Sequence, residues 1–212
     1  MRTKLATLSV LLFISVMASA QNARSILDKA SEIYNQSGGI TAAFTLDTKD
    51  TKQGATYSYD GKAYMKGDKF RIEIPDAITW FDGETQWVYV KDTEEVNVSN
   101  PTGDELQAIS PSSLFSIYKS GFNLKYKGEK KDNTKLLYEI ELTPENKNSE
   151  FSRIIVQIDK GSNMFHRITL VDKVGLENIL TIKKYMTQQE LPDQTFRFNK
   201  SDYPDVEVVD LR

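Results

Sequence analysis

The sequence KFRIEIPDAITWFDGETQWVYVKDTEEVNVSN, residues 69–100, consists of short apolar runs separated by turn residues. Apolar and charged residues alternate through 70–74 and stop at Pro75, which is the pattern of a half-buried strand that proline ends. Asp82-Gly83 is a strong β-hairpin signal, because both central residues of a tight hairpin turn need a positive φ. The stretch therefore predicts antiparallel strands joined by hairpins.

Pairing across the Asp82-Gly83 turn distributes large apolar side chains over both faces of the sheet. If Phe81 is opposite Glu84, then Ile78 is opposite Trp87, and residues of equal parity share a face. Neither face of the predicted sheet is fully polar, so both faces need an apolar cover. The first face carries Ile78, Trp80, Trp87 and Tyr89, and the second carries Thr79, Phe81, Gln86, Val88 and Val90.

The rest of the chain is predicted to form further strands with two helical interruptions. Apolar residues recur at helical spacing after Asn22, a candidate N-cap, and Gly38-Gly39 ends that helix. In 103–121, Ser110 and Pro111 are the expected start of a second helix. The strand candidates outside 69–100 are 40–48, 55–65, 122–126, 136–142, 151–158, 164–171, 176–186, 195–198 and 206–209.

These elements predict a mainly β (α+β) fold with about ten or eleven strands in hairpin succession. A meander of this length closes into a barrel or curls into an incomplete one, whose concave apolar face must be covered. We expect the two predicted helices to provide that cover.

Residues 1–20 have the pattern of a secretory signal peptide. Arg2 and Lys4 precede a short apolar run, and Ala18-Ser19-Ala20 is a small-residue cleavage site. The apolar run is short for a membrane span, although an uncleaved anchor is the alternative. We therefore expect cleavage after Ala20 and a single exported domain over residues 21–212.

Composition excludes several classes of function. Loss of Arg2 and Lys4 leaves 25 basic against 30 acidic residues, so the exported chain is mildly acidic and unsuited by default to nucleic acid. The chain has no cysteine, which rules out disulfides, thiolate metal sites and cysteine nucleophiles. We predict no cofactor and no metal.

The sequence offers little for catalysis. His166 is the only histidine, so any Ser/His/Asp triad would have to use it, and a site with several histidines is impossible. No Gly-x-Ser-x-Gly elbow or glycine-rich phosphate loop accompanies it. A half-buried strand histidine is the favoured interpretation, and we predict no catalytic residues; a hydrolase built around His166 is the enzymatic alternative.

The run GKAYMKGDKFRIEIPDAITWFDGETQWVYVKDTEEVNVSN, residues 61–100, resembles the periplasmic outer-membrane lipoprotein carrier (LolA) family. In that family a basic turn, an aromatic-rich strand, an Asp-Gly hairpin and Trp-x-Tyr follow one another. The tail LPDQTFRFNKSDYPDVEVVDLR, residues 191–212, is similar to the family's ending. The order of elements matches over nearly the whole of 21–212.

The resemblance implies an incomplete antiparallel β-barrel with an N-terminal helix and a helical lid over an apolar cavity. It also implies a periplasmic carrier that binds acyl chains of lipid-modified proteins in that hydrophobic cavity and takes them from the inner to the outer membrane. Its implied partners are an inner-membrane ABC-type release complex and, where one exists, an outer-membrane acceptor. A monomer is the simplest state for such a carrier. A carrier or sensor of other amphiphiles, such as glycolipids, is the alternative, because a fold does not fix its cargo.

Under this interpretation the surplus apolar surface is a ligand pocket. Met65 suits an adaptable lining. The hypothetical acyl-chain cavity comprises Met65, Ile72, Ile74, Ile78, Trp80, Trp87, Tyr89, Leu114, Phe115, Ile117 and Tyr118.

One feature departs from the family. An Arg-Pro pair commonly occupies the basic turn, and its arginine is associated with tethering the lid. Here Gly67 stands in that place. Lys66, Lys69 and Arg71 are the substitute candidates for the latch.

Overall fold

The computed structural model describes residues 20–212, without the side chains at positions 104, 107 and 108. Its dominant element in this range is one sheet of twelve strands. Helix α1 covers 20–36, and an insertion between two strands contains α2 Asp104–Ile109, α3 Pro111–Ser116 and a 3-10 turn, Ile117–Lys119. The strands are β1 Gly39–Asp50, β2 Thr56–Lys66, β3 Lys69–Glu73, β4 Ala77–Phe81, β5 Gln86–Val90, β6 Glu95–Ser99, β7 Phe122–Asp132, β8 Lys135–Pro144, β9 Phe151–Asp159, β10 Phe165–Asp172, β11 Leu176–Met186 and β12 Glu207–Asp210.

The sheet consists of two hairpin meanders joined side by side. Strands β1 to β6 pair in succession, β7 to β11 do the same, and β11 returns antiparallel to β1. The last strand, β12, pairs parallel to β6. Because β12 and β7 stand at the two ends of the strand order, the sheet is open. The mainly β class and the incomplete antiparallel barrel are confirmed.

The connection between the two meanders determines where the helices lie. β6 is the second strand in the order and β7 is the last, so the segment 100–121 joins strands near opposite ends of the sheet. That segment contains α2 and α3, which pack with α1 against one face. We call this the inner face, and the opposite one the outer face.

The Asp82-Gly83 turn is wider than the sequence predicts. Phe81 is opposite Gln86, not Glu84, and Trp80 is opposite Trp87. The carboxylate of Asp82 accepts the backbone N–H groups of both residues before Gln86, at 3.0 and 3.1 Å, so it stabilises a four-residue turn. The register moved by two residues, which leaves every side chain on its predicted face.

Three local predictions need correction. Asn22 lies inside α1 instead of preceding it. Helix α3 begins at Pro111 as expected, but the Ser110 side chain makes no capping hydrogen bond and pairs with the Ser112 hydroxyl. The strand predicted at 195–198 is replaced by a 3-10 turn, Asp193–Phe196.

The predicted signal peptide falls almost entirely outside the described residues. Within 20–212, no helix combines the length and hydropathy needed to cross a membrane.

Candidate functional site

The inner face is apolar because alternate residues of the strands point toward the helices. Phe44, in β1, is opposite Gly61 in β2, and its ring occupies the space that a side chain at Gly61 would need, since an added Cβ would lie 2.3 Å from the ring. Small residues at such positions leave room for large ones to meet the helices. The buried strand residues of this core are Ile40, Ala42, Phe44, Ala63, Met65, Phe70, Phe81, Ile140, Leu142, Ile154, Val156, Ile158, Phe165, Ile168 and Ile182.

Phe115 of α3 is a buried contact between the helical insertion and this face. Its ring centroid lies 4.5 Å from that of Tyr34 in α1 and 4.7 Å from that of Phe165 in β10. The side chain is 4% exposed. The ring therefore fills the space between α1 and the sheet, where it excludes water.

Two tyrosine hydroxyls lie among these apolar contacts. The Tyr34 hydroxyl donates to Sδ of Met65 at 3.6 Å, and burial, followed by Asp68, raises the pKa of Tyr34 to about 12. Tyr118, in the 3-10 turn after α3, donates to Oδ1 of Asp28 in α1 at 2.7 Å. Both phenols are thus neutral donors at physiological pH.

The inner face continues beyond the helices to a margin that is partly exposed. Leu46 of β1 is opposite Tyr59 on one side and Leu180 on the other, and Leu46 and Leu180 are half-buried against the core. Tyr57, two residues before Tyr59 and on the same face, is 71% exposed. Leu170 also belongs to this open margin. The margin gives an apolar surface that is continuous with the core and reachable from solvent.

The outer face is a separate apolar cluster. The C-terminal segment comprises residues 187–212, which follow β11. Trp80 is 2% exposed and packs edge-on against Phe198 and Tyr203 of this segment, at 5.7 and 5.8 Å. Val96 and Val98 of β6 are buried there with Val206. The C-terminal segment thus covers this face as α1 and α3 cover the other.

The predicted cavity residues are divided between these two faces. Parity confirms that Trp80 and Trp87 share a face with Ile78 and Tyr89, but that face is the outer one. The expectation of one lining that includes both tryptophans is therefore corrected. The residues brought together at the inner face are Met65, Ile72, Ile74, Leu114, Phe115, Ile117 and Tyr118.

Two of the three latch candidates contact the C-terminal segment and not the helical insertion. Nζ of Lys66 donates to the carbonyl oxygen of Leu191 at 2.9 Å, and Nζ of Lys69 lies 3.0 Å from a carboxylate oxygen of Asp193. Both lysines therefore bind the start of the C-terminal segment.

Arg71, the third candidate, lies on the outer face. Its guanidinium packs over the rings of Tyr64 and Trp80, at 5.6 and 5.5 Å, and Nη2 lies 2.7 Å from Oε1 of Glu73. These cation–π contacts and the ion pair stabilise the outer cluster.

His166 belongs to a charged group where β7 ends and β10 begins. Its Nε2 lies 3.4 Å from Oδ2 of Asp132, which also binds Arg167 at 2.9 Å, and its Nδ1 lies 3.4 Å from Nζ of Lys135. Burial, followed by Lys135, lowers the pKa of His166. The surrounding groups form ion pairs and hydrogen bonds with one another. Among residues 20–212, no three histidine or acidic side chains are grouped so as to hold a metal ion.

Some inner-face residues cannot be identified from the sequence pattern alone. A register irregularity between Phe165 and Arg167 turns both Phe165 and Ile168 inward, so simple alternation misassigns this strand. Leu46 and Leu180 belong to strands that the pattern did identify, but only the pairing of β1 with β11 shows that they adjoin.

Several solved bacterial structures are similar to this one. An uncharacterized conserved protein from Thermus thermophilus has a TM-score of 0.60 at 16% identity, over 89% of this chain and 99% of that one. LprF from Mycobacterium bovis has a TM-score of 0.51 at 11% identity, over 82% and 97%. A LolA superfamily protein from Nitrosomonas europaea has a TM-score of 0.46 at 15% identity, over 83% and 97%. The first two likenesses show a shared fold.

No curated protein matches the sequence. The profile of a protein family does match, over residues 14–173 of the 212, and its description is outer membrane lipoprotein carrier protein LolA. Because this match covers well over half of the sequence, the chain belongs to the outer membrane lipoprotein carrier protein LolA family.

Proposed function

We propose that this protein is a periplasmic carrier that binds the acyl chains of lipoproteins on its inner face and takes them from the inner to the outer membrane. The observation that carries the proposal is the packing of Phe115 between Tyr34 and Phe165, beside a half-exposed apolar margin. A short helical insertion here covers an apolar surface that extends past it. Family membership supports the same interpretation.

The energetics of the cargo match such a surface. Burial of one methylene contributes about 0.8 kcal/mol. Exposure of an acyl chain of roughly fifteen methylenes to water is therefore unfavourable by on the order of 12 kcal/mol of free energy. A carrier must replace that exposure with apolar contacts and still release the chain later. Short helices that cover the site can move aside at a smaller cost than strands of the sheet can.

The acyl-chain site that we propose is the inner face with the open margin. Its lining is the inner group of the predicted set: Met65, Ile72, Ile74, Leu114, Phe115, Ile117 and Tyr118. The outer residues Trp80, Trp87 and Tyr89 instead pack in the cluster that contains the C-terminal segment, and Ile78 shares their face. No catalytic step is assigned to the protein.

The proposal includes two transfer partners. An ATP-driven release complex at the inner membrane would supply the lipid-modified protein, and an acceptor at the outer membrane would take it. Both exchanges need the helical insertion to move, because Phe115 and Tyr118 are buried when it is closed.

The test compares two isoleucines of adjacent strands that lie on opposite faces. Ile72 is half-buried on the inner face and Ile78 is half-buried on the outer face. Ile72→Lys, Ile78→Lys and the unchanged protein would be exported in a lipoprotein-producing bacterium and analysed by native mass spectrometry, with circular dichroism as the check on folding.

We expect bound lipoprotein in the unchanged protein and in Ile78→Lys, and its loss in folded Ile72→Lys. Loss in both folded variants would contradict the inner-face site. Recovery of free lipid or glycolipid alone would replace the lipoprotein carrier with a binder of other amphiphiles.

A further inference from the structure

Polar contacts of the Tyr118 hydroxyl with the side chains of Asp28 and Ser31 join the helical insertion to α1. The Tyr118 hydroxyl donates to Oδ1 of Asp28 at 2.7 Å. The Tyr118 side chain is 1% exposed, whereas Asp28 lies on the exposed side of α1. The tyrosine therefore reaches from the core toward solvent and ends on a solvated carboxylate.

The surroundings of Tyr118 favour this bond. Burial and then the hydrogen bond to Asp28 raise the pKa of Tyr118 to about 12, while the influence of Arg24 and Ser31 is in the opposite direction. The hydroxyl thus stays protonated and can donate.

We propose that the Tyr118–Asp28 hydrogen bond is the latch that holds the helical insertion closed over the inner face. This inference rests on the proposed function, in which the insertion must separate from α1 to admit an acyl chain. Phe115, three residues earlier, packs against Tyr34 of the same helix. An insertion that lifts from α1 must break both contacts together.

The latch replaces the basic candidates of the turn before β3. Lys66 and Lys69 bind Leu191 and Asp193, so they fix the C-terminal segment. Tyr118 and Asp28 are 90 residues apart in sequence, and both belong to the elements that cover the inner face. The position of the bond, not its chemistry alone, makes it a latch.

The latch would set the fraction of molecules that can bind. A ligand's apparent affinity falls in proportion to the fraction in the binding-competent state. When molecules with an open insertion are the minority, loss of one hydrogen bond of ordinary net strength increases their fraction about fivefold. Tyr118→Phe removes only the hydroxyl and leaves Asp28 solvated, so it changes the latch without creating a buried unpaired charge.

The experiment measures opening and binding separately. Amide hydrogen exchange of residues 104–119 reports opening, and fluorescence of a labelled long-chain fatty acid reports binding, both on the mature chain. The variants are Tyr118→Phe and Asp28→Ala. The controls are Ser116→Ala, whose hydroxyl bonds only within α3, and Lys69→Met, which removes the Asp193 contact.

We expect about fivefold faster exchange and about fivefold tighter fatty-acid binding in both latch variants, with the controls unchanged. Unchanged exchange in the latch variants would overturn the latch, whatever the fatty acid does. Faster exchange with no fatty-acid binding in any variant would support the latch as a closing contact and would contradict the proposed lipid site.

Discussion

The ring of Phe115 in α3 lies 4.7 Å from the ring of Phe165 in β10, although three strands, β7 to β9, lie between them in the sequence. The contact closes the helical insertion onto the second meander. Tyr34 approaches the same ring from α1, so three elements meet at one side chain. Removal of that side chain is the most direct test of how the inner face is closed.

Phe115→Ala should therefore lower the stability of the fold and give a hydrophobic ligand greater access to the inner face. Truncation of a buried phenylalanine lowers the free energy of unfolding by about 3–5 kcal/mol when the space does not collapse. The space left behind would accept part of a hydrophobic probe, so we expect severalfold tighter binding of an environment-sensitive dye. Urea denaturation and dye titration measure the two effects.

The matched control is Phe198→Ala on the outer face. Phe198 packs against Trp80 and Tyr203, at 5.7 Å from each. Its truncation should also lower stability but should leave dye binding unchanged. Equal dye binding by both variants would mean that the dye reports partial unfolding, and the inner-face explanation would fail.

The position of the tryptophans gives a second prediction. Trp80 and Trp87 are the only two in the chain, and both lie on the outer face. Bromine quenches tryptophan only near contact, so a brominated fatty acid bound at the inner face should leave the intrinsic fluorescence unchanged. Strong quenching would place the ligand on the outer face instead.

A reporter on the inner face completes this test. Phe115→Trp, made with Trp80 and Trp87 replaced by Phe, places a single tryptophan in the proposed site. Its fluorescence should fall as brominated fatty acid is added, whereas the unbrominated acid should not quench it. Lack of quenching despite measured binding would contradict the site.

Gly61 offers a test of the packing that shapes the inner face. A Cβ at this position would lie 2.3 Å from the ring of Phe44, so Gly61→Ala forces the ring or the strand to move. Overpacking of this kind lowers the free energy of unfolding by about 1–3 kcal/mol. Addition of Phe44→Leu should recover part of the loss, because the smaller side chain vacates its space, whereas the carbonyl oxygen of Glu73, 2.8 Å from the same Cβ, stays in place. Additive effects of the two substitutions in urea denaturation would rule out this contact as the cause.

Much of the fold could be predicted from local patterns. Alternation and turn residues identify most strands. They also place Trp80 and Trp87 on one face, although the predicted partner of Trp87 is Ile78 and the observed partner is Trp80. The reason is that a register error of two residues preserves parity, whereas an error of one would reverse it. The Asp82 carboxylate, which accepts two backbone N–H groups, widened the turn by two residues.

The site was harder to predict because a pattern does not say what covers a face. Ile72 and Trp80 look alike as apolar strand residues, but Ile72 packs against the core beneath the helices, whereas the C-terminal segment covers Trp80. Because of the register irregularity after Phe165, simple alternation along β10 does not identify Phe165 as an inner-face residue. The Tyr118–Asp28 bond has no local signal, because the two residues meet only after the insertion crosses the sheet.

His166 supplies a pH prediction that separates a structural histidine from a catalytic one. Burial, then Lys135, holds the pKa of His166 below its ordinary 6.5, and Arg167 acts in the same direction while Asp132 opposes it. The unfolded chain therefore binds a proton at a higher pH than the folded protein does. Stability should fall as the pH is lowered from about 7 to about 5, because protonation favours the unfolded state.

His166→Gln removes this titration, so the decrease in the free energy of unfolding between about pH 7 and pH 5 should be smaller in the variant. Burial tends to raise the pKa of Asp132 and Asp159, but their ion pairs and hydrogen bonds lower both below 3.8, which keeps them out of this window. Urea denaturation at several pH values across this window measures the difference. Parallel curves for the two proteins would show that His166 is not the group that titrates, and loss of acyl-chain binding in folded His166→Gln would oppose a purely structural role.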